Sequence, residues 1–344
     1  MTLGSYFDIL QGNLLPRFRI SARMSTGLSG TGAEILTLDE LSEIHRELIR
    51  SFADSLNPDV SNRKPAGEMS LLELKALIAR RMLESCELCE NRCRVNRIHG
   101  KRGKCRVGKE SYYASEFLHL GEEPELIPSH TIFFTGCTFE CLFCQNSDIA
   151  HGDVASLDAG TPVDERLTTR ILEKAGHARN LNLVGGDPGQ HLATILRLLV
   201  DLARQDYTRP IVWNSNMYAS PLSMELLRGA VDLHLADFKY GLTEHAKMLS
   251  GIDDYWEIVT RNLLDAKPVA DILIRHLVLP GHVECCTSRI VKWVAENLPN
   301  ASFNLMFQYH PEYRAGEVPE INRFLSRDEK NRALELARES GIVD

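Results

Sequence analysis

The stretch TIFFTGCTFECLFCQN, Thr131 to Asn146, joins an apolar run of strand length to a loop carrying three thiols. Cys137, Cys141 and Cys144 form a C-x3-C-x2-C pattern, with the aromatic Phe143 directly before the last thiol. Structural zinc takes four tetrahedral ligands, and a [4Fe–4S] cluster normally takes four thiolates. Three thiolates leave either centre one ligand short. On a cluster, that shortfall is an iron with an open position, where a substrate or cofactor can bind. The competing readings are a loop of buried thiols, or zinc completed by a distant histidine.

Outward from this loop the chain alternates short apolar runs with helix-like stretches. TIFF, LNLV, PIVW, LHLA, ILIRHLVL and FNLMF have strand length. RLTTRILEKAGHA, HLATILRLLVDLARQ, SPLSMELLRG, YWEIVTRNLLDA and CTSRIVKWVAENL carry helical spacing between them. Such alternation predicts a parallel sheet of βα units. Six units are too few for a closed eight-stranded barrel. The expected fold is α/β, a partial (β/α)6 TIM-like barrel with an N-terminal helical and four-cysteine metal-binding module, and a doubly wound sheet is the alternative. Five of the six strand ends carry polar or glycine clusters: the three cysteines, GGDPGQH, NSN, DFK and QYH. In α/β barrels that end of the strands bears the functional groups.

The three-cysteine pattern after the first strand resembles the hallmark of the radical S-adenosylmethionine (SAM) superfamily. Over residues 84–312 the chain is most similar to a branch related to the pyruvate formate-lyase activating enzymes. The resemblance implies a [4Fe–4S] cluster on Cys137, Cys141 and Cys144 and SAM chelated at its open iron. It also implies reductive cleavage of SAM to a 5′-deoxyadenosyl radical that abstracts hydrogen. Gly185, Gly186 and Asp187 resemble the loop that holds the methionine amino group, with Asp one methylene shorter than the usual Glu. Asn214 and Ser215 stand where the activating enzymes carry residues near the cofactor and a monovalent cation; an amide for a carboxylate there puts the cation in doubt. Asp237 and Lys239 match a D-x-K directed at polar groups of the cofactor. Arg275 matches an arginine near the SAM carboxylate, and an unpaired charge inside an apolar run calls for an anionic partner. His310 matches a histidine near the ribose. His191 either faces the same cavity or begins the next helix.

The implied function is oxidoreductase chemistry. Glycyl-radical activation of a partner enzyme is its best-supported form, and modification of a peptide or small molecule is the alternative. A different class is a non-catalytic zinc or iron–sulfur module. The partners implied are an electron donor such as flavodoxin or ferredoxin and a protein substrate.

Upstream, Cys86, Cys89, Cys93 and Cys105 form C-x2-C-x3-C-x11-C, a closed tetrahedral set for a second metal centre, either zinc or iron–sulfur. Eight Lys or Arg lie between Arg92 and Lys109. They offset the negative charge of a four-thiolate centre, or else dock an acidic partner or RNA. Cys285 and Cys286 follow the fifth strand and read as reduced loop or helix-start thiols, with hydrogen-atom donor or extra ligand as the alternatives. The expected layout is a helical extension over 1–66 and the four-cysteine module over 67–125. The barrel follows over 126–325, and a C-terminal helix over 326–344.

Within 1–66, LDELSEIHRELIRSFADSL predicts a helix and NPDVSNRKPAGE a polar break. MSLLELKALIARRML is a second amphipathic helix, with Ser70 as its N-cap. The first 24 residues read as a poorly packed extension; Arg17, Arg19 and Arg23 lend them a faint transit-peptide character that Asp8 and Pro16 weaken. The 344 residues are 44% hydrophobic and 25% charged, with a net charge of −8 and no apolar run of membrane-spanning length. That composition offers no general attraction to nucleic acid or anionic membrane. Nine cysteines, seven of them in two tight groups, point to metal ligation in a reducing cytoplasm rather than to disulfides.

Overall fold

Six parallel strands form the centre of the molecule: β4 (Ser129–Phe134), β6 (Asn180–Gly185), β7 (Ile211–Ser215), β8 (Leu233–Asp237), β9 (Asp271–Leu277) and β10 (Ser302–Met306). Each contains or overlaps one of the six apolar runs. They come from a computed structural model that describes residues 3–50, 52 and 66–342. The sheet has eight strands in the order β10-β9-β8-β7-β6-β4-β3-β5, with β3 (Tyr112–His119) antiparallel to β4 and β5 (Thr161–Pro162) antiparallel to β3. The fold is thus mixed α/β, with a mostly parallel sheet that is not closed. Its parallel strands lie in sequence order without the reversal of a doubly wound sheet. The remaining strands, β1 (Ser25–Ser29) and β2 (Glu68–Ser70), pair only with each other.

All five expected inter-strand helices form, at Glu165–Lys174, Leu192–Arg204, Pro221–Leu227, Tyr255–Ala266 and Ser288–Asn297. Their apolar stripes cover one face of the sheet, where Leu167, Ile171, Leu196, Leu199, Val259, Leu263, Ile290 and Val294 join Ile132, Leu181, Trp213 and Ile274 in one core. A further helix, Arg327–Glu339, closes the C-terminal region. Strand β3 escaped sequence reading because its alternation is masked by a buried charge. Glu116 meets the His130 imidazole at 2.6 Å, Arg170 at 3.4 Å and the Lys174 ammonium.

The expectation of a loosely packed N-terminus is corrected. On the other sheet face, Val212, Leu233, Leu235 and Leu273 pack against Leu3 and Tyr6. The helix Gly4–Leu10 therefore seals that face at the strand starts. The Tyr6 amide donates to Asp271 at 2.7 Å, and Asn180 donates to the Tyr6 hydroxyl at 2.8 Å. Arg17 is buried against Asp232 at 3.3 Å, and Arg19 reaches Asp206 at 2.7 Å. Two turns of helix are too short to show an apolar period, so the sequence offered little signal. No helix among the described residues is long and apolar enough to cross a membrane.

The helix Leu38–Arg50 covers the first part of its expected span; residues 51 and 53–65, which hold the rest of that span and most of the polar break, lie outside the described residues. The helix Leu71–Arg81 starts on Ser70, its expected N-cap, which forms a capping box with Glu73. Between these helices, Lys75 Nζ and His45 Nε2 lie 2.6 Å apart, both fully buried. Burial pushes the lysine well below its usual range and the histidine down to about 2. Both folded values lie below the unfolded ones, so the unfolded chain binds more protons and stability rises with pH through the neutral range. Replacing both partners together (Lys75→Met with His45→Leu) is expected to stabilise the chain by about 1–3 kcal/mol at pH 7. The gain should shrink above about pH 10, where the unfolded lysine also loses its proton. Thermal melts across pH test this; a variant less stable than wild type at pH 7 contradicts it.

Candidate functional site

The C-terminal ends of β4, β6, β7, β8 and β9 open onto one cavity of about 440 Å³. Cys137, Cys141 and Cys144 line it, with every residue assigned to the cofactor from the sequence except His310: Phe143, Gly185, Gly186, Asp187, Asn214, Ser215, Asp237, Lys239 and Arg275. Small-molecule sites fall in this size range.

The cysteine loop is held by backbone bonds on both sides. Glu140 and Leu142 donate to the carbonyls of Ser250 and Leu249 at 3.0 and 2.9 Å, and Arg314 donates to Leu142 at 2.8 Å. The Phe139 amide points at Cys137 Sγ (3.4 Å), and the Ser250 hydroxyl donates to Cys141 Sγ at 2.9 Å. Burial raises the Cys137 thiol well above its ordinary range and the Cys144 thiol to about 12. Three thiols with donors aimed at two of their sulfurs, all facing one cavity, are a donor set that fits a three-thiolate iron–sulfur centre.

Gly185 and Gly186 are fixed by crowding of the backbone. Gly185 has φ +124°, and a Cβ there would lie 2.2 Å from the Phe134 backbone. A Cβ on Gly186 would lie 2.0 Å from the carbonyl oxygen of Gly136, the residue before Cys137. Gly186→Ala is therefore expected to displace the cysteine loop, costing about 2–3 kcal/mol. The melting temperature and the iron content after anaerobic reconstitution test this; full iron loading with an unchanged melt contradicts it.

Asp187 is turned toward the protein. It accepts from the amides of Gly189 at 2.8 Å and Asn216 at 3.0 Å, and burial raises its carboxyl to about 6. Its part here is to tie the glycine loop to the end of β7. Asn216 completes that tie, with its side-chain amide 3.1 Å from Thr138 Oγ1 and 4.0 Å from Cys137 Sγ. Asp237 and Lys239 pair at 2.5 Å. Burial alone would lower the Lys239 ammonium, but Asp237 and Cys141 hold it above its ordinary range, which sets a fixed positive charge beside the cysteine loop.

Arg275 has the anionic partner its setting demanded, and it is internal. Glu123 grips the guanidinium at 2.7 and 2.5 Å, and Glu122 also contacts it. Asn304 on β10 donates to Glu123 at 2.8 Å, and Asn182 on β6 donates to Glu122 at 2.9 Å. The segment HLGEEPEL, His119 to Leu126, thus joins three strands across the cavity face. Inward-facing Asn182, Arg275 and Asn304 at alternating strand positions were the available signal. His310 stands apart, its side chain 43% exposed and 3.1 Å from Glu312. His191 is buried, stacked on Phe134 and bonded to the Thr135 carbonyl at 2.7 Å, so it is a packing residue.

The four-cysteine segment docks beside the same cavity. Cys89 bridges to Ala219, and Glu90 donates to the Tyr218 carbonyl at 3.3 Å, in the loop after β7. Gly103 is required because a Cβ would lie 2.7 Å from Cys93 Sγ. Arg97 is fully buried; it bonds the Gly108 and Gln190 carbonyls and lies 3.9 Å from Cys86 Sγ. Arg92, Arg94 and Arg102 are paired with Glu90, Glu87 and Asp158, so much of the basic run is spent within the chain. Among the described residues, the set of three or more metal-ligating atoms that all lie within 4.8 Å of one another is elsewhere, at His245, His282, Cys285 and Cys286.

Residues 129–241, from the start of β4 to just past Lys239, match the family described as "4Fe-4S single cluster domain". Over 347 aligned positions the chain is 46% identical to "Uncharacterized protein MJ0674" of Methanocaldococcus jannaschii, covering 99% of this chain and 98% of that protein. The chain belongs to that protein's family. Among solved structures, Streptococcus suis SuiB bound to its precursor peptide SuiA aligns with 59% of this chain at a TM-score of 0.42 and 15% identity. This chain spans 43% of that one. The cluster-domain match contains all three cysteines of the loop, the glycine loop and the Asp237–Lys239 pair, so this family member carries its candidate iron–sulfur ligands inside the matched segment.

Proposed function

We infer that the chain is a radical SAM enzyme built on a partial (β/α)6 barrel. The observation that carries the reading is the convergence of a three-thiol loop, a glycine loop and two polar strand ends on one cavity, within a segment matching a 4Fe–4S domain. When bound, the cluster and SAM supply reductive cleavage of the sulfonium and a 5′-deoxyadenosyl radical for hydrogen abstraction.

The chain's own residues have separable tasks in this reading. Cys137, Cys141 and Cys144 hold the cluster. The glycine loop keeps its backbone against the cysteine loop, so its carbonyls, rather than the occupied Asp187 carboxylate, are the groups free to take an ammonium. Asn214 and Ser215 offer neutral polar contacts. Lys239, held charged by Asp237, offers a cation to an anionic group of the cofactor. Phe143 excludes water beside Cys144, packed edge-on against Tyr240 and Tyr309 at 6.4 and 5.9 Å.

We read Cys86, Cys89, Cys93 and Cys105 as the ligands of a second metal centre, iron–sulfur or zinc. The resemblance of the sequence to activating enzymes supports hydrogen abstraction from a partner polypeptide, with electrons from a flavodoxin- or ferredoxin-type donor in a reducing cytoplasm. The test is anaerobic reconstitution followed by dithionite and SAM. Formation of 5′-deoxyadenosine and methionine is expected. A chain that binds only zinc and leaves SAM intact overturns the reading in favour of a non-catalytic metal module. Metal analysis of Cys86→Ser with Cys89→Ser identifies that second centre: loss of iron makes it iron–sulfur, and loss of zinc alone makes it a zinc site.

A further inference from the structure

Past the end of β9 the chain winds Val283–Thr287 into a single π-helical turn, a distortion often found at functional sites. This turn places Cys285 and Cys286 beside His282, and the helix Thr243–Ser250 brings His245 against them. One ligand atom from each of the four residues lies within 4.8 Å of all the others. His245 Nδ1 is 3.3 Å from Cys286 Sγ, and His282 Nδ1 is 3.6 Å from Cys285 Sγ. The two imidazole rings meet edge to face with centroids 4.5 Å apart. Around a tetrahedral zinc, with bonds of about 2.3 Å to sulfur and about 2.0–2.1 Å to nitrogen, neighbouring N and S ligands lie about 3.5 Å apart.

Two further observations point the same way. His282 Nε2 is buried without a hydrogen-bond partner, in a side chain only 3% exposed, and the nearest carboxylate is Glu320 at 3.9 Å. Zinc-bound histidines commonly turn the other ring nitrogen toward such a carboxylate. Gly241 lies directly on the cysteine turn, where a Cβ would be 2.7 Å from both Cys285 O and Cys286 Cα. The loop after β8 therefore covers the turn.

We propose that His245, His282, Cys285 and Cys286 bind one zinc ion as a closed structural site. An S2N2 tetrahedral set suits zinc, and four protein ligands leave no position open for substrate. Binding releases the two thiol protons. The ion ties the helix Thr243–Ser250 to the exit of β9. That helix ends on Ser250, whose hydroxyl donates to Cys141 Sγ and whose carbonyl anchors Glu140. The zinc thus sets the position of one wall of the candidate active site.

This site does not depend on the radical SAM reading, and its test reads metal rather than turnover. Zinc and iron are measured on the full chain as wild type, as Cys285→Ser/Cys286→Ser, and as Cys86→Ser/Cys89→Ser. The first variant should lose about one zinc per chain with its iron unchanged, and the second should keep that zinc. Equal zinc in wild type and the first variant overturns the proposal. Because that variant can fail to fold, the native wild type is also treated with iodoacetamide before and after a zinc chelator. Cys285 should be protected until the chelator is added. Immediate labelling, or recovery of Cys285 joined to Cys286 as a disulfide, overturns the proposal.

Discussion

A chain carrying Cys137→Ala, Cys141→Ala and Cys144→Ala together is expected to lose about four irons and to retain the metal at Cys86, Cys89, Cys93 and Cys105. Its conversion of SAM to 5′-deoxyadenosine should fall at least about a thousand-fold, to the uncatalysed background. The loss should be selective because the two cysteine groups sit on different supports. The loop of three is anchored to Leu249, Ser250 and Arg314, whereas the group of four is docked on the loop after β7. They meet at an ion pair between the half-exposed Arg106 and Glu140 at 3.7 Å, a weak link that alanine at the three cysteines leaves in place. Iron and sulfide content, with product analysis under dithionite, check this. A triple variant that still cleaves SAM would place the chemistry on the other cysteines.

The second large effect concerns Arg275. Its side chain is 14% exposed, and those of Glu122 and Glu123 are 5% and 8% exposed. Arg275→Met leaves two carboxylates in a nearly dry network, and stripping one partner from a buried ion pair costs about 3–5 kcal/mol. The melting temperature should fall by roughly 4–7 °C. The pH dependence supplies a sharper signature. Burial alone would raise the Glu123 carboxyl, but its bonds to Arg275 hold it below the usual range. In wild type its contribution is present above the unfolded carboxylate range and is lost as the pH falls through the folded value. Without Arg275, burial dominates and the Glu123 carboxyl rises, so this contribution reverses sign and the variant should recover stability on mild acidification. Adding Glu123→Gln to Arg275→Met should restore part of the loss at neutral pH. Melts at pH 5 and pH 8 decide; an equal deficit at both would remove the carboxylates from the explanation.

The parallel sheet was legible because its strands are nearly continuous apolar runs, and strands buried on both faces have to be. The site was legible because chemistry gathers at strand ends, and cysteine and glycine there have few other reasons to cluster. Partnerships were harder to read. Arg275 announced a need for an anion but not which one, because Glu122 and Glu123 stand about 150 residues away in sequence. Asp187 looked available to a ligand because nothing local shows that Asn216 and Gly189 claim it. Cys285 and Cys286 read as idle thiols because two adjacent cysteines do not spell a metal motif. Only folding brings His245 to them.

The N-terminal helix imposes an order of events on synthesis. Tyr6 leaves the ribosome early, yet its partner Asp271 is 265 residues behind it. At about 5–20 residues per second, Leu3 and Tyr6 wait on the order of 15–50 s for the strand starts they will cover. A helix made before the sheet is thus among the last elements to dock on it. During that interval its aromatic and aliphatic side chains are open to chaperones, and a slowed ribosome lengthens the exposure.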